Sequence, residues 1–269
     1  MSAIDSLFAR LRRTGQKALI PFVTAGDPDL DFTAAVLRRL VDEGAALCEV
    51  GVPYSDPIAD GPVIQASYTR ALERGLKVAD VLGMLATVAP ELKAPLVTMV
   101  SYAIVYRHGL QQYVEAARRA GVSGLIVPDL PVEESGPLAQ LCRNADLSLI
   151  QLVTPTTPDE RAKRIAERSS GFVYYVSVAG VTGERAALPP ELVDKVARLR
   201  RHTDLPICIG FGISRPEHVR LLAPVADGLI VGSAIVRHVA QAAERPRAEV
   251  LDEIAQFVRQ MLAAMGRRQ

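Results

Sequence analysis

The stretch Ala18-Leu19-Ile20-Pro21-Phe22-Val23, followed by Thr24-Ala25-Gly26-Asp27-Pro28, decides the fold. An unbroken apolar run of this length, ended by turn residues, reads as a strand buried on both faces, as in a parallel sheet. The turn after it separates two architectures. An open doubly wound sheet carries G-x-G-x-x-G at this point, so that the backbone can approach a dinucleotide. Here the turn holds Gly26 alone, followed by Asp27-Pro28. Seven further runs follow: Leu47–Val52, Leu96–Val100, Gly124–Val127, Leu149–Val153, Phe172–Val176, Ile207–Gly210 and Leu229–Val231. Helical patterns lie between most of them, at Phe32–Val41, Gln111–Ala120, Pro158–Glu167, Pro190–Arg201 and Pro216–Leu222, and a long amphipathic one closes the chain at Val250–Met265. Strands alternating with helices make parallel βαβ units. Eight such units need about 250 residues, and the chain has 269. The expected fold is therefore α/β, a (β/α)8 TIM barrel, with residues 1–269 forming a single catalytic domain.

Before the first strand, Ile4, Leu7, Phe8 and Leu11 recur at helical spacing, with Ser2 placed to cap the helix and Gly15 to end it. This extra N-terminal helix is expected to cover the barrel's N-terminal end. Apolar residues make up 49 % of the chain and aromatics 5 %, without a tryptophan, so the core is aliphatic. The formal net charge of +1 argues against a nucleic-acid partner. The basic runs Arg12–Arg13, Arg198–Arg201 and Arg267–Arg268 fall near helix ends, where cations suit the macrodipole. Cys48, Cys142 and Cys208 lack metal-ligand spacing and read as reduced thiols of a cytoplasmic protein. No 18-residue apolar stretch predicts a membrane span.

In such a barrel the chemistry lies at the C-terminal ends of the strands. There the second strand runs into Glu49-Val50-Gly51-Val52-Pro53-Tyr54-Ser55-Asp56-Pro57-Ile58-Ala59-Asp60-Gly61-Pro62. Glu49 interrupts an apolar strand, where a charge is unfavourable unless it is paired or used. Burial raises a carboxyl pKa and makes the group a usable acid or base near neutrality. By themselves Asp56 and Asp60 read as turn residues. Glycines follow strands six, seven and eight, in Gly180-Val181-Thr182-Gly183, Gly210-Phe211-Gly212-Ile213 and Val231-Gly232-Ser233. Glycine lets backbone N–H groups approach an anion, and three such turns in succession at this end point to a phosphate. His108, His202, His218 and His238 are scattered, and they read as surface or helix residues. Neither a nucleophile elbow nor a zinc cluster is present in the sequence.

The Glu49–Pro62 segment resembles the signature of the tryptophan synthase α subunit family, and Pro128-Asp129-Leu130-Pro131-Val132-Glu133-Glu134 resembles a second motif of that family. The resemblance extends over essentially the whole chain. It implies retro-aldol cleavage of indole-3-glycerol phosphate to indole and glyceraldehyde 3-phosphate. It implies Glu49 as the principal acid–base group and Asp60 as the carboxylate at the indole ring N–H. Phe22 and Tyr102 match positions around the ring, Tyr174 matches the family's active-site tyrosine beside the carboxylates, and Phe211 is a strand-end aromatic. Gly183, Gly212, Gly232 and Ser233 match the phosphate ligands, and Thr182 matches a residue of a loop that closes over substrate. That loop, 179–188, is expected to be mobile without substrate and to favour its closed form when the partner binds. The partner implied is a β subunit that carries pyridoxal phosphate, met through Asp56 and Pro57; the α chain itself binds no cofactor. Ile104-Val105 stand where many members of the family have Asn-Pro, on the side facing the partner.

Other readings are a standalone lyase, a non-catalytic phosphate-binding barrel that regulates a β subunit, and a phosphate-binding barrel isomerase or epimerase. The Glu49–Asp60 pair argues against the non-catalytic barrel, which has no need of both carboxylates.

Overall fold

A computed structural model describes residues 2–57, 60–176, 191–210 and 212–266. Nine parallel strands occur among them: β1 Ala18–Thr24, β2 Cys48–Gly51, β3 Leu96–Met99, β4 Val122–Ile126, β5 Ser148–Ile150, β6 Leu152–Val153, β7 Val173–Val176, β8 Ile207–Gly210 and β9 Gly228–Val231. Twelve α-helices accompany them: α1 Ala3–Arg13, α2 Leu30–Asp42, α3 Pro62–Glu73, α4 Val78–Val88, α5 Tyr102–His108, α6 Leu110–Arg119, α7 Gly136–Asn144, α8 Asp159–Arg168, α9 Leu192–Arg200, α10 Pro216–Leu222, α11 Ser233–Ala240 and α12 Arg247–Ala264.

The strands pair in the order β5-β4-β3-β2-β1-β9-β8-β7-β6. The two ends of that order, β5 and β6, are consecutive pieces of one stretch, so the sheet returns on itself as a barrel. The fifth strand expected from sequence is thus divided at Gln151. Its first half pairs with β4 up to Ile150, and its second pairs with β7 from Leu152. Strands in a closed barrel are staggered, so each neighbour uses a different part of the same strand. Gln151 spans the step: its carbonyl accepts from Tyr174 N at 3.0 Å, and its Nε2 donates to Ser135 Oγ at 3.0 Å.

Alternation along the strands divides the core in two. Ala18, Ile20, Phe22, Leu47, Val97, Ile126, Ile150, Phe172, Tyr174, Cys208 and Ile230 fill the barrel interior. Leu19, Val23, Cys48, Val50, Leu125, Leu149, Tyr175 and Ile209 pack outward against the helices. Parity then sends Glu49, one residue beyond Cys48 and two beyond Leu47, into the interior. All three cysteines are buried and free.

Helix α1 closes the N-terminal end, as its spacing predicts. Ile4, Leu7, Phe8 and Leu11 are buried with the interior cluster, and the Phe8 and Phe172 rings lie 5.8 Å apart. Ser2 Oγ accepts from Asp5 N at 3.2 Å, and Asp5 Oδ2 accepts from Ser2 N at 2.9 Å, a reciprocal cap. At the other end Gly15 takes φ +65°, and Gln16 N donates back to Leu11 O at 2.9 Å. Among the described residues, no helix is long and apolar enough to cross a membrane.

Candidate active site

Glu49 and Phe22 are register partners on β2 and β1, one layer below the barrel mouth. Glu49 is fully buried, and neither of its carboxylate oxygens has a hydrogen-bond partner among the described residues. Desolvation, with a smaller contribution from the charge of Asp60, pushes its pKa up to about 8. Asp60 is 8 % exposed, and burial pushes its pKa up to about 6. At neutral pH the first carboxyl therefore holds a proton and the second is mostly ionised. Two like groups separated in this way can divide acid and base work between them.

Asp60 reaches this position because its loop is clamped. Its backbone N donates to Pro57 O at 3.0 Å, and Gln65 Nε2, on α3, donates to Asp60 O at 2.8 Å. Asp56, four residues earlier in the same loop, is exposed and accepts from Ser55 Oγ; Pro57 is half-buried. One loop thus buries one carboxylate and leaves the other in water. Turn chemistry by itself does not distinguish the two; the family resemblance assigned them different roles.

Helix α3 is tethered to the end of β1 at two points. Thr24 and Ser67 hydroxyls lie 2.7 Å apart, and Arg70 donates to both oxygens of buried Asp27, at 2.9 and 2.7 Å. The stripe between these tethers, Ile64, Tyr68 and Ala71, faces the barrel. Tyr68 is fully buried, its ring 5.6 Å from that of Tyr54. Gly51 leaves room for this approach: a Cβ there would stand 2.5 Å from Phe22 Cζ and 2.7 Å from Tyr68 Oη. Sequence reading passed over Tyr68, and a helical stripe beginning right after Asp60-Gly61 is the signal that finds it.

Tyr174, on β7, is buried and points inward over Gly210. Its hydroxyl lies close enough to Glu49 and Asp60 for their charges, together with burial, to hold its pKa well above the usual phenol value. Tyr102 is half-buried at the start of α5. Its N–H donates to Asp129 Oδ1 at 2.7 Å, and Ser101 Oγ donates to Asp129 Oδ2 at 2.7 Å. The Asp129 of the Pro128–Glu134 motif therefore caps the helix that carries Tyr102, tying the loops after β3 and β4 together. Beyond it Val105 is buried. Ile104 lines a groove of about 470 Å³ with Val52, Pro53, Leu76 and Arg107, which gives the unusual Ile104-Val105 pair an apolar seat.

At the opposite rim, Gly212 follows β8 with φ +74°, and Gly232 precedes α11, whose first residue is Ser233. A Cβ at Gly232 would sit in ordinary van der Waals contact with Phe22, at 3.7 Å. The first N–H groups of a helix lack intrahelical acceptors and suit an anion. Thr182, Gly183 and Phe211, with the loop 179–188, lie outside the described residues. His218 is a helix residue, as expected, but it is buried rather than on the surface; its Nδ1 accepts from Ser214 N at 3.4 Å beneath that rim.

A family model described as tryptophan synthase alpha chain matches residues 8–265. The tryptophan synthase alpha chain of Rhodopirellula baltica is 60 % identical over 257 residues, covering 94 % of this chain and 92 % of its own length. The crystal structure of tryptophan synthase subunit alpha from Legionella pneumophila superposes with a TM-score of 0.90 at 33 % identity, covering 99 % of each chain. A chain of the tryptophan synthase complex from Pyrococcus furiosus superposes with a TM-score of 0.83 at 36 % identity, covering 91 % of this chain and 98 % of that one.

Proposed function

Since the chain belongs to the tryptophan synthase alpha chain family, we propose that it cleaves indole-3-glycerol phosphate to indole and glyceraldehyde 3-phosphate, as a carbon–carbon lyase of tryptophan biosynthesis. The observation that carries the reading is the pair of buried carboxyls held at different pKa values, about 8 for Glu49 and about 6 for Asp60. Protonated Glu49 delivers its proton to the indole carbon that bears the side chain. The cation that forms on the ring is an indolenine N–H, and ionised Asp60 accepts a hydrogen bond from it, stabilising charge where it develops. Glu49, now a carboxylate, takes the proton of the adjacent side-chain hydroxyl. The carbon–carbon bond breaks, its electron pair restores the neutral indole, and the former alcohol carbon leaves as the aldehyde. Glu49 ends the cycle protonated, so atoms and charge balance.

Phe22, Tyr102 and Phe211 wall the ring, and Tyr174 stands beside the two carboxyls. Gly183, Gly212, Gly232 and Ser233 receive the phosphate through backbone N–H groups, and Thr182 closes over the substrate. The barrel works as one domain across residues 1–269, in the cytoplasm, without a cofactor of its own. Its partner is a β subunit bearing pyridoxal phosphate, which takes the indole released here and joins it to serine. The exposed Asp56 and half-buried Pro57 meet that partner.

Release of indole from indole-3-glycerol phosphate tests the reading. The wild-type chain is expected to release it, and Glu49→Gln to lose about a hundred- to ten-thousand-fold in kcat, the range for one general acid–base group. Full activity in a folded Glu49→Gln chain removes Glu49 from its role. Turnover of a sugar phosphate with none of the indole substrate overturns the reaction itself.

A further inference from the structure

Asp60 lies in the loop between β2 and α3, outside any strand or helix. A side chain from beyond that loop reaches back to it. Gln65, the fourth residue of α3, donates from Nε2 to Asp60 O at 2.8 Å and to Pro57 O at 3.3 Å. Pro57 O also accepts from Asp60 N at 3.0 Å. The two ends of the turn from Pro57 to Asp60 are thus bound to each other and to one carboxamide. A carboxamide suits the task, because its NH2 group carries two donors, one for each carbonyl. Methionine has similar length and no donor. Glutamate would set a carboxylate against two carbonyl oxygens.

Gln65 is itself held in place. Its backbone N donates to Gly61 O at 2.9 Å, in the first turn of α3. Two residues on, the Ser67 hydroxyl lies 2.7 Å from that of Thr24, and Arg70 pairs with Asp27. The helix is therefore tied to the end of β1, and Gln65 carries that fixed position to the loop. One carbon separates the Cα of an aspartate from its carboxyl, so a fixed backbone leaves the carboxylate only a choice of rotamer.

We propose that Gln65 is a positioning residue for the lyase step: by binding both ends of the Pro57–Asp60 turn, its carboxamide sets how deeply the Asp60 carboxylate enters the site. The inference rests on the role proposed for Asp60. Gln65 acts through the backbone and touches no reacting atom. Burial pushes the Asp60 pKa up to about 6, so its titration reports how deeply the loop seats it.

Titration of the carboxyl carbons by NMR, in the full-length wild-type chain and in Gln65→Met, tests the seating without substrate. Asp60 is expected to titrate about one pH unit lower in the variant, because a released loop returns the carboxylate to water. On indole-3-glycerol phosphate, kcat should fall about ten- to a hundred-fold, the cost of a displacement of about 1 Å, with KM little changed. The acid limb of the kcat profile should move down with the Asp60 titration. The double variant Gln65→Met with Asp60→Asn should be no slower than Asp60→Asn alone. An unmoved Asp60 titration, a loss of thermal stability with kcat and the acid limb unchanged, an effect confined to KM, or additive losses in the double variant each overturn the proposal. If Gln65→Met fails to fold, Gln65→Glu should shift the Asp60 titration in the same direction, and no shift overturns it. A wild-type chain that releases no indole sinks the lyase reading alone, since the titration reads the seating of Asp60 independently.

Discussion

Glu49 is the residue on which stability and the proposed chemistry conflict. Its folded-state pKa of about 8 stands above the 4.5 of an exposed glutamate. The folded chain therefore holds a proton that the unfolded chain releases between those values. Stability from this group is complete below about pH 4.5 and is lost as pH rises through 8. Glu49→Gln removes the ionisation and with it the loss. The variant's advantage over the wild type should be small at about pH 5 and larger by about 4 kcal/mol near pH 8.5, read from denaturant unfolding at both pH values. A constant difference across that range contradicts the buried, unpartnered carboxyl. On the proposed roles, the same two groups would set the activity profile. The rate should peak between the values for Asp60 and Glu49, falling below about 6 as Asp60 takes up a proton and above about 8 as Glu49 loses its own.

Among the elements, α1 and α3 do opposite work. Helix α1 seals the end of the barrel away from the carboxylates, and its contribution is burial alone. Phe8, 4 % exposed and packed on Phe172, should cost about 3–5 kcal/mol on truncation to alanine, with kcat intact at temperatures where the variant stays folded. Calorimetry and the indole assay on the same preparation check both halves. Helix α3 makes one side-chain tether to β1, at Thr24, and one to the turn after it, at Asp27, and it buries Tyr68 in the barrel interior. Helix α5 lies between these cases. Asp129 joins its first turn to the loop after β4, which makes the position of Tyr102 depend on a neighbouring strand.

At the scale of the molecule, the closed strand order places Glu49 of β2, Tyr174 of β7 and the Gly212 and Gly232 turns around one mouth. The proposed substrate, with an aromatic ring at one end and a phosphate at the other, would lie between the acidic residues and these glycine turns. The exposed Asp56 shares its loop with the buried Asp60, so the partner contact proposed at Asp56 would couple to the carboxylate inside. Co-purification with a protein bearing pyridoxal phosphate is the expected outcome of affinity capture from the native source. The lyase rate of the complex should exceed that of the chain alone. Equal rates, with the complex formed, contradict coupling through this loop.

The sequence by itself determined the architecture and the family, and it singled out the segment on which the proposed chemistry rests. Apolar runs at strand length, a first turn without G-x-G-x-x-G, and the Glu49–Pro62 segment are local patterns, and each is readable from neighbours along the chain. Only the tertiary structure buried Asp60 while leaving Asp56 in water, divided the fifth strand at Gln151, buried His218 and left the Tyr68 hydroxyl buried without a hydrogen-bond partner among the described residues. Environment decides each of these, and it comes from elements distant in the chain. Asp60 is desolvated because α3 clamps its loop against the barrel mouth, and Tyr68 is held by tethers 43 residues away in sequence. A carboxyl's pKa and a hydroxyl's lack of a partner are properties of the assembled neighbourhood, which no local pattern encodes.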